Sequence, residues 1–190
     1  MKITEHYTLE LLINGCIRQE HWAQSAIYQQ YAAKMFAICL RYAKNTMVAE
    51  ELLQNGFVKV FKAIGQFKNL GSFEGWIKKI MVNTAIEYYR QAVKIQPMKE
   101  LMDEVDFISD SGGVIEQLQV KDLLSLIAAL PDGYRVVFNL YVMEGYSHKE
   151  IAAILGITEG GSKSQLSRAR KLLQKAIKIK EKGAYARLEK

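Results

Sequence analysis

A chain of 190 residues with 49% hydrophobic content and a net charge of +6 is large enough to bury one sizeable core or two small ones; it is too apolar for an extended disordered chain. Two cysteines exclude a disulfide framework, and no apolar run reaches membrane-spanning length. The opening MKITEHYTLELL lacks the apolar stretch and cleavage site of a secretory leader, so the expected compartment is reducing and cytoplasmic, without insertion into a membrane.

The only prolines are Pro97 and Pro131, and the long stretches without proline favour helix. The spacing predicts helices over 8–15, 19–44, 47–64 and 73–95. The second is expected to bury Trp22, Ala26, Tyr31, Met35, Ile38 and Tyr42. Thr46 is read as the cap of the third, which carries Leu52, Leu53, Phe57, Val60, Phe61 and Ile64. Cys16 and Cys39, among apolar neighbours, read as buried free thiols. Residues 65–71, GQFKNLG, form a loop, and Ser72 caps the fourth helix. There Phe73, Trp76, Ile77, Ile80, Thr84 and Tyr88 share a core face, while Lys79, Asn83 and Arg90 form a separate stripe. Two cations and an amide suit phosphates and one base edge. Phe67, Lys68 and Asn69, in the loop beside that stripe, offer an aromatic, a charge and an amide to an unstacked base.

Residues 97–113 read as a flexible linker, with Ser109, Ser111, Gly112 and Gly113 and little periodicity. Charge singles the region out: residues 1–100 hold 13 bases and 8 acids and residues 121–190 hold 13 and 7, whereas residues 101–120 hold five acids and no base.

A helix from Val114 to about Leu130 follows, and Pro131 opens the next at its first turn. That helix carries Val136, Val137, Leu140 and Tyr141 and ends at Gly145. Residues 147–176, SHKEIAAILGITEGGSKSQLSRARKLLQKA, then read as a helix pair. Ser147 and Glu150 stand at capping-box spacing, Gly156 supplies a left-handed stop, and Thr158 caps the last helix. Leu166, Ala169, Leu172, Leu173, Ala176 and Ile177 line one side of it; Lys163, Ser164, Ser167, Arg168, Lys171 and Lys175 line the other. Such a pair suits a DNA major groove, although a solvated surface helix carries the same pattern. His148, in a first turn, is expected at the surface or facing phosphate. His6, His21 and His148 are scattered, and no phosphate loop or nucleophile elbow occurs, so catalysis, metal and cofactor are not expected. The fold class is all-α: two small helical domains, 1–96 and 114–190, joined by a flexible acidic linker, the second ending in a helix-turn-helix.

At this point the motifs resemble the extracytoplasmic-function (ECF) sigma factors of bacterial RNA polymerase. LPDGYRVVFNLYVMEGYSHKEIAAILGITEGGSKSQLSRARKLL is similar to the family's region 4, AEELLQNGFVKVFKAIGQF to region 2.2, and GSFEGWIKKIMVNTAIEYYR to regions 2.3 and 2.4. The resemblance implies that Glu50, Glu51, Gln54, Asn55 and Phe57 meet core polymerase. It implies that Phe67, Lys68, Asn69, Trp76, Lys79, Asn83 and Arg90 hold the single-stranded minus-10 element. It assigns Lys163, Ser164, Ser167, Arg168 and Lys171 to the minus-35 element of promoter DNA. Acids of the linker, residues 101–110, would mimic nascent transcript or simply form a solvated spacer, and an anti-sigma factor, often membrane-anchored, would cover the polymerase-binding surfaces. Four positions depart from the family: Gly161 stands for the usual Thr, Ser162 for an apolar residue, Gln165 for a base and Asn55 for an acid. From these departures the last helix is expected to lose packing at Ser162 and to start late or to order only on DNA, Gln165 to lower phosphate affinity, and Asn55 to weaken the core contact. Two other readings remain: a helix-turn-helix regulator acting without core polymerase, and an interaction protein with incidental basic faces.

Overall fold

The computed structural model describes residues 7–95 and 120–188, with side chains over 7–93 and 122–179. The described elements are all helical: α1 (Leu9–Ile17), α2 (His21–Tyr42), α3 (Thr46–Ala63), α4 (Phe73–Ile95), α5 (Val120–Ala128), α6 (Asp132–Phe138), α7 (His148–Leu155) and α8 (Glu159–Leu188). A 3₁₀ turn at Ile64–Gln66 extends α3, and a π-helical turn at Asn139–Met143 follows α6. The chain forms two compact units that divide between Ala85 and Ile86, inside α4. The acidic linker at 97–113 and the expected helix start at Val114 lie outside the described residues.

In the first unit α2 packs between α1 and α3. Its buried stripe is Ala23, Ile27, Tyr31, Met35, Cys39 and Tyr42, so the expected face is turned. Trp22 remains 41% exposed because it pairs with Tyr7 at 5.1 Å instead of entering the core, and Ile38 is only half-buried. Asn45, not Thr46, caps α3, its side chain accepting from Val48 N at 2.9 Å. The oxygen of Asn45 reaches a backbone N–H that the first helical residue cannot reach. α3 buries Leu52, Leu53, Gly56, Phe57 and Val60. At Gly56 a side chain would overlap Met81 Sδ, so glycine is what lets α4 lie close. Cys16 and Cys39 are both buried, and burial raises their thiols to about 11 and about 12.

In the second unit α6 and α7 both pack on α8. Leu126, Ile127, Leu130, Ala169, Leu173 and Ala176 form one buried cluster, flanked by Tyr134, Phe138, Leu172 and Ile177. Burying a leucine or isoleucine of this kind contributes roughly 1.5–3 kcal/mol relative to exposure. Pro131 is the N-cap of α6 rather than its first residue. Arg135 is 4% exposed and donates to Ala128 O at 3.0 Å and Leu130 O at 2.8 Å, while pairing with Asp132. It thereby satisfies carbonyls at the end of α5 that the helix itself leaves open. The capping box of α7 is formed: Ser147 N donates to Glu150 Oε2 at 2.8 Å, and Glu150 N donates to Ser147 Oγ at 3.3 Å. Gly156, at φ 70°, closes α7 in the left-handed region. Thr158 Oγ1 accepts from Gly161 N at 2.9 Å, so α8 starts at Glu159 and both glycines are helical. The expected late start does not occur. The cap and the Ser162 N→Thr158 O bond at 3.0 Å hold the first turn.

Candidate nucleic-acid interface

The loop between α3 and α4 is built on its aromatics. Phe67 N donates to Ile64 O at 3.1 Å, which turns the Phe67 ring back toward α4. There it meets Phe73 edge-on at 5.1 Å and Trp76 at 5.6 Å. Phe73 in turn stacks on Trp76 at 5.6 Å and meets Tyr31 edge-on at 5.6 Å. Ser72 Oγ accepts from Gly75 N at 3.1 Å to start α4, and Lys34 Nζ pairs with Glu74 Oε2 at 2.6 Å. The platform is therefore fixed on α2 and α4, and only the loop tip projects from it.

Lys68 and Asn69 are exposed at that tip, with Asn69 at φ 55°, a conformation its short amide tolerates better than most side chains. Phe67 and Trp76 are half-buried in the platform, so of the three loop residues the aromatic supports the tip rather than extending from it. Lys79, Asn83 and Arg90 are exposed along α4. Leu70, 90% exposed, was not anticipated. A lone leucine in a loop has no periodicity to betray it.

On α3, Glu50, Glu51, Gln54 and Asn55 are exposed together. Phe57 does not join them: it is 3% exposed, packed on Tyr28 at 4.8 Å and Phe61 at 5.9 Å. Its aromatic ring is worth more in the core than beside carboxylates in water. Met47, 77% exposed, and Val58, 51% exposed, complete the face instead. With Glu51 and Gln54 they follow helical steps of 4, 3 and 4 residues, a spacing readable from the sequence.

On α8, Lys163, Ser164, Ser167, Arg168 and Lys171 are all exposed, opposite buried Leu166, Ala169 and Leu173. Lys163 Nζ pairs with Glu159 Oε1 at 2.7 Å, and that contact holds the Glu159 carboxyl below its usual range. Arg168 Nη1 donates to the Tyr134 hydroxyl at 3.3 Å, which links the exposed face to α6. Ser162 is fully buried, and its Oγ shares a 2.9 Å hydrogen bond with His148 Nδ1. His148, expected at the surface or facing phosphate, is instead half-buried and stacked on Tyr141 at 4.5 Å. Gln165 is also turned inward, its Oε1 buried without a hydrogen-bond partner. The phosphate-side loss expected from that position is a change of direction as well as of charge. Among the described residues no three His, Cys, Asp or Glu side chains group as a metal site, and no helix is long and apolar enough to cross a membrane.

Residues 27–95 match the model of sigma-70 region 2, and residues 121–173 match that of sigma-70, region 4. The chain is 29% identical over 153 residues to the ECF RNA polymerase sigma factor SigE of Mycolicibacterium smegmatis, covering 78% of this chain and 59% of that protein. It is 25% identical over 190 residues to the ECF RNA polymerase sigma-E factor of Escherichia coli, covering 92% and 97%. Among solved structures it aligns with the sigma factor RpoE of Bartonella quintana, crystallised with the anti-sigma factor NepR. That alignment has a TM-score of 0.48 and 22% identity, over 82% of this chain and 96% of that one. With region 2 spread over α2 to α4 and region 4 over α5 to α8, in that order, the chain belongs to the sigma-70 family as a sigma factor of the ECF type.

Proposed function

We propose that this sigma factor carries core RNA polymerase to promoters through three separate exposed faces. Glu50, Glu51, Gln54 and Asn55 on α3, with Met47 and Val58 beside them, meet the polymerase; carboxylates flanked by apolar groups suit a basic helical partner. Lys68 and Asn69 at the loop tip, over the Phe67–Phe73–Trp76 platform, receive an unstacked base of the minus-10 element. Lys79, Asn83 and Arg90 then hold its strand. Opening DNA costs on the order of 1.4 kcal/mol per base-pair step in lost stacking, and capture of a flipped base offsets part of that cost. Lys163, Ser164, Ser167, Arg168 and Lys171 enter the major groove at the minus-35 element. The division into a region 2 domain (1–96), an acidic linker (97–113) and a region 4 domain (114–190) belongs to this proposal. So do a cytoplasmic location, the absence of bond chemistry by the chain itself, and control by an anti-sigma factor that covers these faces.

The observation that carries the reading is the loop: an exposed polar tip held at a left-handed asparagine over an anchored aromatic platform. Gel shifts with and without core polymerase, followed by sequencing of transcripts initiated in vitro, test it. Core-dependent promoter binding and defined start sites are expected. Tight binding of DNA by the free chain, unchanged by core enzyme, would replace it with the regulator reading.

A further inference from the structure

We propose that His148 is a positioning residue for promoter binding, setting the register of the first turn of α8 through its hydrogen bond to Ser162; the inference rests on the function proposed above. That turn is intrinsically weak. Gly160 and Gly161 are each about 1 kcal/mol less favourable in a helix than alanine. Neither glycine offers a side chain to grip the rest of the unit. Ser162 is the first residue of α8 that is fully buried, and it brings almost no apolar surface. A buried hydroxyl has to find a partner or destabilise the turn.

The partner is His148 Nδ1 at 2.9 Å, the first residue of α7 and 14 positions earlier in the chain. The bond forms in either neutral tautomer, with the ring N–H or the serine O–H donating. The imidazole is itself held. It stacks on Tyr141 of the π-helical turn at 4.5 Å and 23°, and the Arg170 guanidinium lies 5.8 Å from the Tyr141 ring centre. One link thus runs from the π-helical turn through α7 into α8. Lys163 and Ser164 follow Ser162 directly and face outward, so whatever sets Ser162 sets them. The neighbours facing this link are Glu159, with Lys163 paired to it, and Lys149; none of them replaces the hydrogen bond.

The test is a double-mutant cycle in the full chain, read as minus-35 protection by the holoenzyme and as amide hydrogen exchange in the free chain. His148→Phe keeps the ring and its stacking but strands the serine hydroxyl; Ser162→Ala strands the imidazole nitrogen. Each is expected to weaken minus-35 protection about tenfold and to speed exchange over residues 162–165. Minus-10 protection should stay unchanged. The double variant should lose no more than either single one, and His148→Asn, which places an amide near the lost nitrogen, should remain within about twofold of the parent. Additive losses, or parental protection and exchange in His148→Phe, would overturn the proposal. So would equal losses at both promoter elements, which indicate a stability effect alone. Failure of the parent holoenzyme to select any promoter removes the sigma reading and the proposal's promoter role with it. The exchange data on the free chain show separately whether the link holds the turn.

Discussion

Arg168 is a cation of α8 that another element orients, through the Tyr134 hydroxyl at 3.3 Å. Arg168→Ala is therefore expected to weaken minus-35 binding by about 1–3 kcal/mol while core binding is unchanged. Tyr134→Phe, which keeps the charge and frees its direction, should cost less; fluorescence anisotropy on a minus-35 duplex with holoenzyme measures both. At the loop tip, Asn69 combines a positive φ with an exposed amide. Asn69→Gly keeps the turn and removes the amide, and Asn69→Ala adds roughly 1 kcal/mol of backbone strain. Both are expected to reduce permanganate reactivity in the melted minus-10 segment while closed complexes persist, and parental reactivity in the glycine variant would count against base capture. The thiols obey a simpler rule. Cys16 and Cys39 titrate only near 11 and 12 when folded, against 9.0 for a free thiol. The unfolded chain ionises first, so stability present below pH 9 declines as pH rises through that window. Cys39→Ala should flatten this alkaline slope in urea melts recorded at successive pH values.

Helix ends were the most legible elements because caps are local. Ser72, Ser147 with Glu150, Gly156 and Thr158 each act within four residues of themselves, and each acts where the spacing placed it. The register of α2 was less legible. Trp22 and Ile38 fit a helical stripe as well as Ile27 and Cys39 do, and only the packing of α1 and α3 chooses between them. The inward turn of His148 was hidden for the same reason, since it depends on Ser162, 14 residues further along the chain. Two predictions concern the α7–α8 pair. The Ser147 hydroxyl and backbone hydrogen bonds lower the Glu150 carboxyl below its usual range. The cap's contribution is thus present above the ordinary glutamate value and fades as pH falls through the folded one. Glu150→Gln should remove that acid-side decline in thermal melts. Gly160→Ala meets nothing closer than 4.0 Å and should stabilise α8 by about 1 kcal/mol. A Cβ at Gly161 would stand 3.1 Å from Thr158 Oγ1, so Gly161→Ala should gain less.

The molecule as a whole carries three proposed contact faces, and each is seated in its own way. Buried Phe57 and Gly56 seat α3 and α4, an aromatic platform seats the loop, and a buried Ser–His bond seats α8. Gly56→Ala, by overfilling the space at Met81, is expected to destabilise the first unit by about 1–3 kcal/mol in chemical unfolding and to weaken core binding with it. Motif order carried most of the functional reading; Leu70 emerged only once exposure was known, whereas Met47 and Val58 stand at a spacing the sequence already shows. The Lys163–Glu159 pair has a further consequence. If Lys163 meets a phosphate as proposed, α8 brings a resident anion there, so the cation that the duplex releases is offset by one that the freed Glu159 carboxylate takes up. The affinity of this sigma factor should then fall less steeply with added salt than its cations suggest, and Glu159→Gln should steepen that fall by about one ion.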